Sequence, residues 1–315
     1  MTDTPGTEAH QRVATAQIDR SRRRWRLFAL LAAIVAILAL AGRFALTGNN
    51  VPGVDQIARI EIGGTIGSDR DRTELLKQLG DDPHVKAVLV TINSPGGTTV
   101  GGEELYESLS ALRAKKPVVA TVNELGASAA YMTAIATDRI YARNLSLVGS
   151  IGVLFQSFNV QKLMDTVGVG ADKIASGPLK AEPDFTKPVS PEARAELQGI
   201  VGDSFNWFVD IVAQRRGMAR PDALALADGR IFTGRQALGA KLIDAIGGED
   251  DAIAWLVANK QVPANLPVIK RYPLPDSGFP NIGRWITGEA RSALGLAPEG
   301  PLALDGLVSL WQVGS

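Results

Sequence analysis

The stretch VNELGASAAYM, residues 122–132, places one serine, Ser128, among residues with almost no side chain. The β-branched segment PVVATVN predicts a strand, and the following ASAAYMTAIA predicts a helix. The first amides of a helix are unpaired and carry the positive end of its dipole, so small neighbours would let a substrate carbonyl reach both hydroxyl and amides. The alternative is that GASAA is only a close helix-packing patch.

Strand and helix patterns alternate on both sides of this stretch. The predicted strands include QIARIEIGGTI, VKAVLVTI, RIYA and DKIAS; the predicted helices include RDRTELLKQLGDD, EELYESLSALRAKK, NVQKLMDTV and a long amphipathic one at roughly 191–216. GRIFTGRQALGAKLIDAIGG and EDDAIAWLVANK look like a closing turn-helix-helix unit. Because strands separated by helices imply parallel crossovers, the sequence predicts an α/β fold.

A second loop, TINSPGG at residues 91–97, also follows a predicted strand and precedes a helix. Gly96 and Gly97 would let backbone amides face a ligand there. The loop lies one strand-helix unit before Ser128, so in a parallel sheet both emerge at the edge where open α/β folds place their sites. A plain Pro-Gly turn is the alternative interpretation.

Composition excludes several kinds of site. The chain has no Cys, which removes disulfides, thiolate metal sites and cysteine nucleophiles, and its two histidines, His10 and His84, lie in polar segments. A Ser/His/Asp triad or a multi-histidine metal site therefore has almost no residues available, and we predict no metal and no cofactor. Lys+Arg and Asp+Glu both total 33, so nothing in the net charge suggests a nucleic-acid partner.

A base for the serine must then come from a carboxylate or a lysine. Lys180 follows DKIAS and a Gly-Pro turn, away from any charged helix face. Lowering a lysine pKa from about 10.4 to roughly 7–8 takes about 4 kcal/mol, which a mostly buried position could supply. An ordinary exposed loop lysine is the alternative, and Glu182 and Asp184 would raise the pKa of Lys180 if they pointed at it.

Five segments in order, TINSPGG, GASAAYMTA, VGSIGV, SGPLK and GRIFTGRQALGAKLID, resemble the signal peptide peptidase A family, SppA, in its short single-repeat form. The resemblance covers roughly residues 57–260. It implies a membrane-anchored serine peptidase with a Ser/Lys dyad. It also implies a crotonase/Clp-protease-like fold of repeated β-β-α units, preceded by one transmembrane helix.

The resemblance also implies roles for individual residues. Ser128 would be the nucleophile and Lys180 the general base, with Ser150 orienting the lysine amine. The amides of Gly96 and Ala129 would form the oxyanion hole. Many relatives read ASGGY where this chain reads ASAAY. Alanine keeps the backbone amide, so we expect activity to survive, with closer crowding that could narrow the substrate pocket.

An N-terminal apolar run indicates a membrane segment. Residues 27–46 could form about 30 Å of helix, with the Arg-rich 20–26 on the cytoplasmic side. A signal peptide cleaved after a small-x-small pattern at 39–41 is the alternative. We therefore predict a single-pass protein of the bacterial inner membrane with an extracytoplasmic catalytic domain. The predicted layout is a basic tail (1–26), an anchor (27–46), a linker (47–55), a peptidase domain (56–262) and a C-terminal extension (263–315).

The resemblance implies remnant signal peptides as substrates, the membrane as partner and assembly into a homo-oligomeric ring. In some single-repeat members a neighbouring subunit's lysine completes the dyad. Three alternatives differ in function: a membrane Ser/Lys peptidase of the type associated with stomatin-like partners, a crotonase-type acyl-CoA enzyme, and a scaffold without activity. The C-terminal extension, with one plausible helix at IGRWITGEARSAL, has no predicted role.

Overall fold

A computed structural model describes residues 25, 28–35, 37, 53–273 and 307–310. The chain divides into two compact units, Met1–Pro52 and Gly53–Ser315. In the first unit residues 25, 28–35 and 37 are helical and exposed, while residues 27, 36 and 38–46 of the predicted anchor lie outside the described residues. Within the described residues, no helix combines the length and apolar character needed to cross a bilayer.

The second unit begins with three strand-helix pairs. The predicted strands and helices appear here as β1 (Gln56–Ile66), α1 (Arg70–Asp81), β2 (Val85–Thr98), α2 (Thr99–Arg113), β3 (Val118–Ala127) and α3 (Ala129–Ile135). Side-chain caps fix where the first two helices start: Asp69 accepts a hydrogen bond from the Arg72 amide, and Thr98 accepts one from the Gly101 amide.

Shorter strands and the long helix complete the unit. They are β4 (Arg139–Ala142), β5 (Leu147–Gly149), β6 (Leu154–Phe155), α4 (Gln161–Val167), α5 (Pro191–Arg216), α6 (Arg220–Ala225), β7 (Ile231–Thr233), α7 (Gly234–Gly239), β8 (Ala245–Ile246), α8 (Glu249–Asn259), β9 (Val268–Lys270) and β10 (Leu307–Leu310). The predicted closing unit therefore contains two short strands besides its helices. The predicted C-terminal helix, residues 282–294, lies outside the described residues.

One sheet of ten strands contains all of these strands. Its centre is parallel, because β2 pairs parallel with β1 and β3, and β3 pairs parallel with β4 and β5. The predicted α/β architecture is therefore confirmed. The antiparallel pairs are β5 with β7, and β10 with both β2 and β6.

Two apolar clusters cover opposite faces of the sheet. Along β2, Val88 and Val90 belong to the larger cluster with α1, α2, α3 and α5, whereas Ala87 and Leu89 belong to the smaller cluster with α8. Successive strand residues point to opposite faces, so this division shows that the central strands are buried on both sides. That arrangement fixes β2 and β3, whose carboxyl ends carry the two predicted site loops.

Two predicted elements differ from the structure. The DKIAS segment is not a strand, and its Ile174 is 98% exposed. An apolar pattern forms a strand only where it can pair with a neighbouring strand and pack on a core, and among the described residues this segment has neither. The second difference is that β2 continues through SPGG to Thr98, because Thr65 and Ile66 of β1 pair with Gly96 and Gly97.

Candidate active site

Ser128 stands at the junction of β3 and α3 with an unusual backbone. Its φ is 58° and ψ is −119°, and the residue is 1% exposed. Its amide donates to the Gly149 carbonyl at 2.8 Å, and its carbonyl accepts from the amides of Tyr131 and Met132. A non-glycine residue with positive φ is uncommon and persists only where its surroundings hold it, and such residues cluster at functional sites.

The small residues around Ser128 serve close packing. A Cβ on Gly102 of α2 would lie 3.0 Å from the Ala129 Cβ and 2.8 Å from the Met132 sulfur, and one on Gly126 would lie 2.9 Å from a Val122 methyl. Ala129 is fully buried. The packing interpretation of GASAA therefore holds, and it coexists with the unusual serine backbone.

The SPGG loop meets this junction through the sheet. Ser94 of β2 pairs with Gly126, two residues before Ser128. The buried Ser94 hydroxyl donates to the Gly64 carbonyl at 2.6 Å and accepts the Gly96 amide at 3.1 Å. Gly96 has φ of 108°, which favours glycine. Because the Gly96 amide is bonded to Ser94, an oxyanion would have to share or replace that hydrogen bond.

Ser150 follows β5, which pairs with β3 on the side away from β2 and the SPGG loop. It directly follows Gly149, whose carbonyl accepts the Ser128 amide, and its own amide donates to the Arg230 carbonyl at 2.8 Å. Ser150 has φ of 49° and is 8% exposed. The structure thus brings Ser128, Ala129, Gly96 and Ser150 to one edge of the sheet through adjacent strands.

Within the described part of the chain, no hydrogen bond or ion pair joins Lys180 to these residues. It lies in an exposed stretch, residues 152–192, in which no residue is buried. Within residues 53–273, the Lys180 ammonium has no hydrogen-bond or ion-pair partner, and its amide donates to the Gly177 carbonyl at 3.1 Å. The described residues of the single chain therefore do not give Lys180 the burial that a lysine base requires.

Apolar side chains in the same stretch are also exposed. We call residues 157–187 the lysine segment, and it contains α4, which has no buried residue. Seven of its large apolar side chains are more than two-fifths exposed: Phe158, Leu163, Val167, Val169, Ile174, Leu179 and Phe185. So many exposed apolar groups in one stretch are typical of a surface that contacts another molecule.

A charge cluster holds the turn that follows Lys180. The Lys173 ammonium contacts the Glu182 carboxylate at 3.0 Å and that of Asp184 at 3.3 Å, and Lys187 contacts Glu182 at 3.1 Å. The Thr186 hydroxyl and amide, followed by Lys173, lower the pKa of Asp184 to about 2. Both carboxylates therefore face Lys173 and not Lys180. Sequence reasoning missed this cluster, because pairing among these charges depends on the turn itself.

Two further features border the site. The buried Tyr131 hydroxyl donates to the Leu242 carbonyl at 2.8 Å, and burial raises the pKa of Tyr131 well above its usual value. A cleft of about 460 Å³ lies between β6 and the start of α5, lined in part by Leu154, Phe155 and Arg194. Neither was predicted, whereas Ser94 could have been found within the TINSPGG motif.

Comparison with known proteins identifies the family. The model of peptidase family S49 matches residues 110–263. A Synechocystis sp. protein named as a protease is 40% identical over 202 residues, covering 64% of this chain and 73% of that one. The chain belongs to peptidase family S49. The predicted relationship to the SppA family is thus confirmed.

Two other relatives agree with this S49 assignment. A Methanocaldococcus jannaschii protein named as a protease is 32% identical, covering 72% of this chain and 80% of its own. The chloroplastic serine protease SPPA of Arabidopsis thaliana is 31% identical, covering 78% of this chain and 39% of its own. This S49 protein is accordingly a serine peptidase, a hydrolase of peptide bonds.

Proposed function

We propose that this S49 peptidase uses Ser128 as nucleophile and Lys180 as general base, and that it cleaves remnant signal peptides and other membrane-associated peptides. The observation that carries the proposal is the Ser128 backbone, held at positive φ where β3 ends and α3 begins. A backbone conformation of this kind costs about 1–3 kcal/mol, and residues held in one are concentrated at active sites, which supports a catalytic role for Ser128. The amides of Gly96 and Ala129 are the proposed oxyanion donors, and Ser150 is proposed to orient the lysine amine.

The proposal is tested first by Ser128→Ala. Removing the nucleophile should lower the rate of peptide hydrolysis at least about a thousandfold, since no other group can form the acyl-enzyme. The urea midpoint should stay unchanged. Ser108→Ala, on α2, is the matched control and should leave the rate unaltered. Full hydrolysis by Ser128→Ala would refute the assignment.

The base is tested by Lys180→Met. Activity should be lost together with the rising limb of the pH–rate profile near neutral pH. Lys162→Met is the control, because Lys162 is an exposed lysine of the same segment. Equal activity in both variants would exclude Lys180 as the base.

Assembly is proposed to supply the burial that the described residues of one chain do not give Lys180. The exposed apolar side chains of the lysine segment support a homo-oligomeric ring, in which a neighbouring copy would bury them and complete the dyad. Ile174→Glu should lower both the particle mass by light scattering and the activity. A wild-type monomer with full activity would contradict this proposal.

Fold and location complete the proposal. The parallel order of β1, β2 and β3, with a helix after each strand, supports a crotonase/Clp-protease-like arrangement. The basic and apolar N-terminal sequence supports a single-pass inner-membrane protein whose peptidase domain is extracytoplasmic. Protease protection of the domain in intact spheroplasts would contradict that orientation.

A further inference from the structure

A turn before β7 lies directly against Ser150, the residue proposed to orient the lysine amine. We call residues 228–230 the brace turn. β5 and β7 pair antiparallel, and hydrogen bonds continue beyond their paired residues. The Ser150 amide donates to the Arg230 carbonyl at 2.8 Å, and the Gly229 amide donates to the Ile151 carbonyl at 3.2 Å. The backbone on both sides of the Ser150 Cα is therefore held by the brace turn.

Ser150 has a backbone conformation that needs such support. Its φ of 49° lies in the left-handed region, which residues other than glycine rarely adopt. A residue persists there only where its surroundings hold it. The brace turn binds the amide before this torsion angle and the carbonyl of the next residue, so it favours the unusual conformation. A looser turn would let Ser150 relax toward an ordinary φ and would displace its hydroxyl.

Asp228 closes the brace turn on itself. Its carboxylate accepts the Arg230 amide at 3.1 Å and the Arg230 Nε at 2.7 Å. The side chain of Arg230, followed by its amide, lowers the pKa of Asp228 to about 2, so Asp228 is ionised throughout the neutral range. Gly229, between the two residues, has φ of 84°, which favours glycine. Both charged side chains are about half exposed, so packing in the core does not explain the arrangement.

We infer that Asp228 is a positioning residue, which closes the brace turn and thereby holds Ser150 where its hydroxyl orients the lysine amine. The inference rests on the proposed role of Ser150. Because Asp228 acts through the Arg230 backbone and Ser150, its loss should slow the chemical step and leave substrate binding unchanged.

Asp228→Ala tests the positioning role. Its kcat for a peptide substrate should fall about tenfold, with KM within about twofold of the wild type. The rising limb of the pH–rate profile should move up by about half a pH unit, because a serine hydroxyl that donates to the neutral amine favours the base form. Asp228→Asn keeps an oxygen for the Arg230 amide and should retain most of kcat. Asp210→Ala is the matched control, since it removes another exposed ion pair, with Arg220 at 2.6 Å, and should change neither kcat nor the pH profile.

A pair of glycine variants separates positioning from a general loss of stability. Gly229 in the brace turn and Gly217 at the end of α5 both have positive φ, 84° and 61°, and a Cβ on either would meet no described atom within 4 Å. Alanine should therefore strain both positions similarly without a clash. The urea midpoints of Gly229→Ala and Gly217→Ala should fall by similar amounts, whereas kcat should fall only in Gly229→Ala. Equal kcat values in the two variants would overturn the inference.

A double variant tests whether Asp228 acts through Ser150. Once the Ser150 hydroxyl is removed, its position no longer matters, so Asp228→Ala combined with Ser150→Ala should have the kcat of Ser150→Ala alone, within about twofold. Losses that multiply in the double variant would show an independent effect and would overturn the positioning role.

The outcomes distinguish this inference from the proposed function. Unchanged kcat in Asp228→Ala, beside a lowered kcat in Ser150→Ala, would overturn the role of Asp228 and leave that of Ser150 standing. Unchanged kcat in Ser150→Ala would overturn the proposed role of Ser150 instead.

Discussion

Gly97→Ala should disrupt the β1–β2 edge that carries the SPGG loop. A Cβ on Gly97 would lie 1.8 Å from the Ile66 carbonyl oxygen and 2.5 Å from its carbon, although real Cβ contacts essentially never fall below 3.0 Å. The clash is with backbone, so side-chain rotation cannot relieve it. The strands must separate by about 1 Å, which breaks the pairing of Thr65 with Gly96 and of Ile66 with Gly97.

The expected cost follows from these contacts. Losing about two backbone hydrogen bonds at about 1 kcal/mol each, with about 1–2 kcal/mol of overpacking, lowers the free energy of unfolding by about 3–4 kcal/mol. With an m-value of about 2 kcal/mol per M, the urea midpoint should fall by about 1.5–2 M. Peptidase activity should fall with it, because the Gly96 amide moves.

Gly63→Ala on the paired strand is the matched control. Its added Cβ would meet only the Asn93 carbonyl oxygen, at 3.7 Å, which is an ordinary contact. Its stability should stay within about 0.5 kcal/mol of the wild type. The measurement is urea unfolding of both variants by circular dichroism. Equal midpoints for Gly97→Ala and Gly63→Ala would show that backbone proximity at Gly97 does not limit this position.

Two further predictions concern groups beside the site. Tyr131→Phe leaves the Leu242 carbonyl without its hydrogen-bond donor and should lower the free energy of unfolding by about 1–3 kcal/mol. The measurement is urea unfolding, and an unchanged midpoint would contradict the hydrogen bond. Hydrogen bonds from Thr186, and then from Lys173, lower the pKa of Asp184 from 3.8 to about 2. The ionised carboxylate therefore stabilises the fold fully above pH 3.8, and this stabilisation is lost as the pH falls through about 2. Hydrogen exchange should show protection of the Thr186 amide falling between pH 4 and pH 2, whereas constant protection over that range would contradict the assignment.

Much of the fold could be predicted because local signals and tertiary packing agree. The bounds of β1 and α5 match the sequence pattern: Ser190 caps α5 with Pro191 in its first turn, and Gly217 ends it with φ of 61°. The extension of β2 through SPGG could not be predicted, since Pro and Gly favour a turn locally. Pairing with β1 keeps that stretch extended, and only glycine fits the approach to Ile66.

The candidate site was predictable to a lesser degree. The sequence indicated the sheet edge where both loops lie, because Ser128 stands between a predicted strand and helix and the SPGG glycines stand one strand-helix unit earlier. The environment of Lys180 was not predictable, because burial depends on which surface covers a segment and the local sequence does not encode that. Pairing of Lys173 with Glu182 and Asp184 likewise depends on the shape of one turn.

The positive φ at Ser128 also restricts which amino acids evolution can accept there. At 58°, a side chain branched at Cβ collides with its own backbone, so threonine is disfavoured although it carries the same hydroxyl. Cysteine has no such branch and fits the same torsion angles. The backbone at this position therefore accepts cysteine, which exchanges oxygen for sulfur, and disfavours threonine, which adds one methyl group.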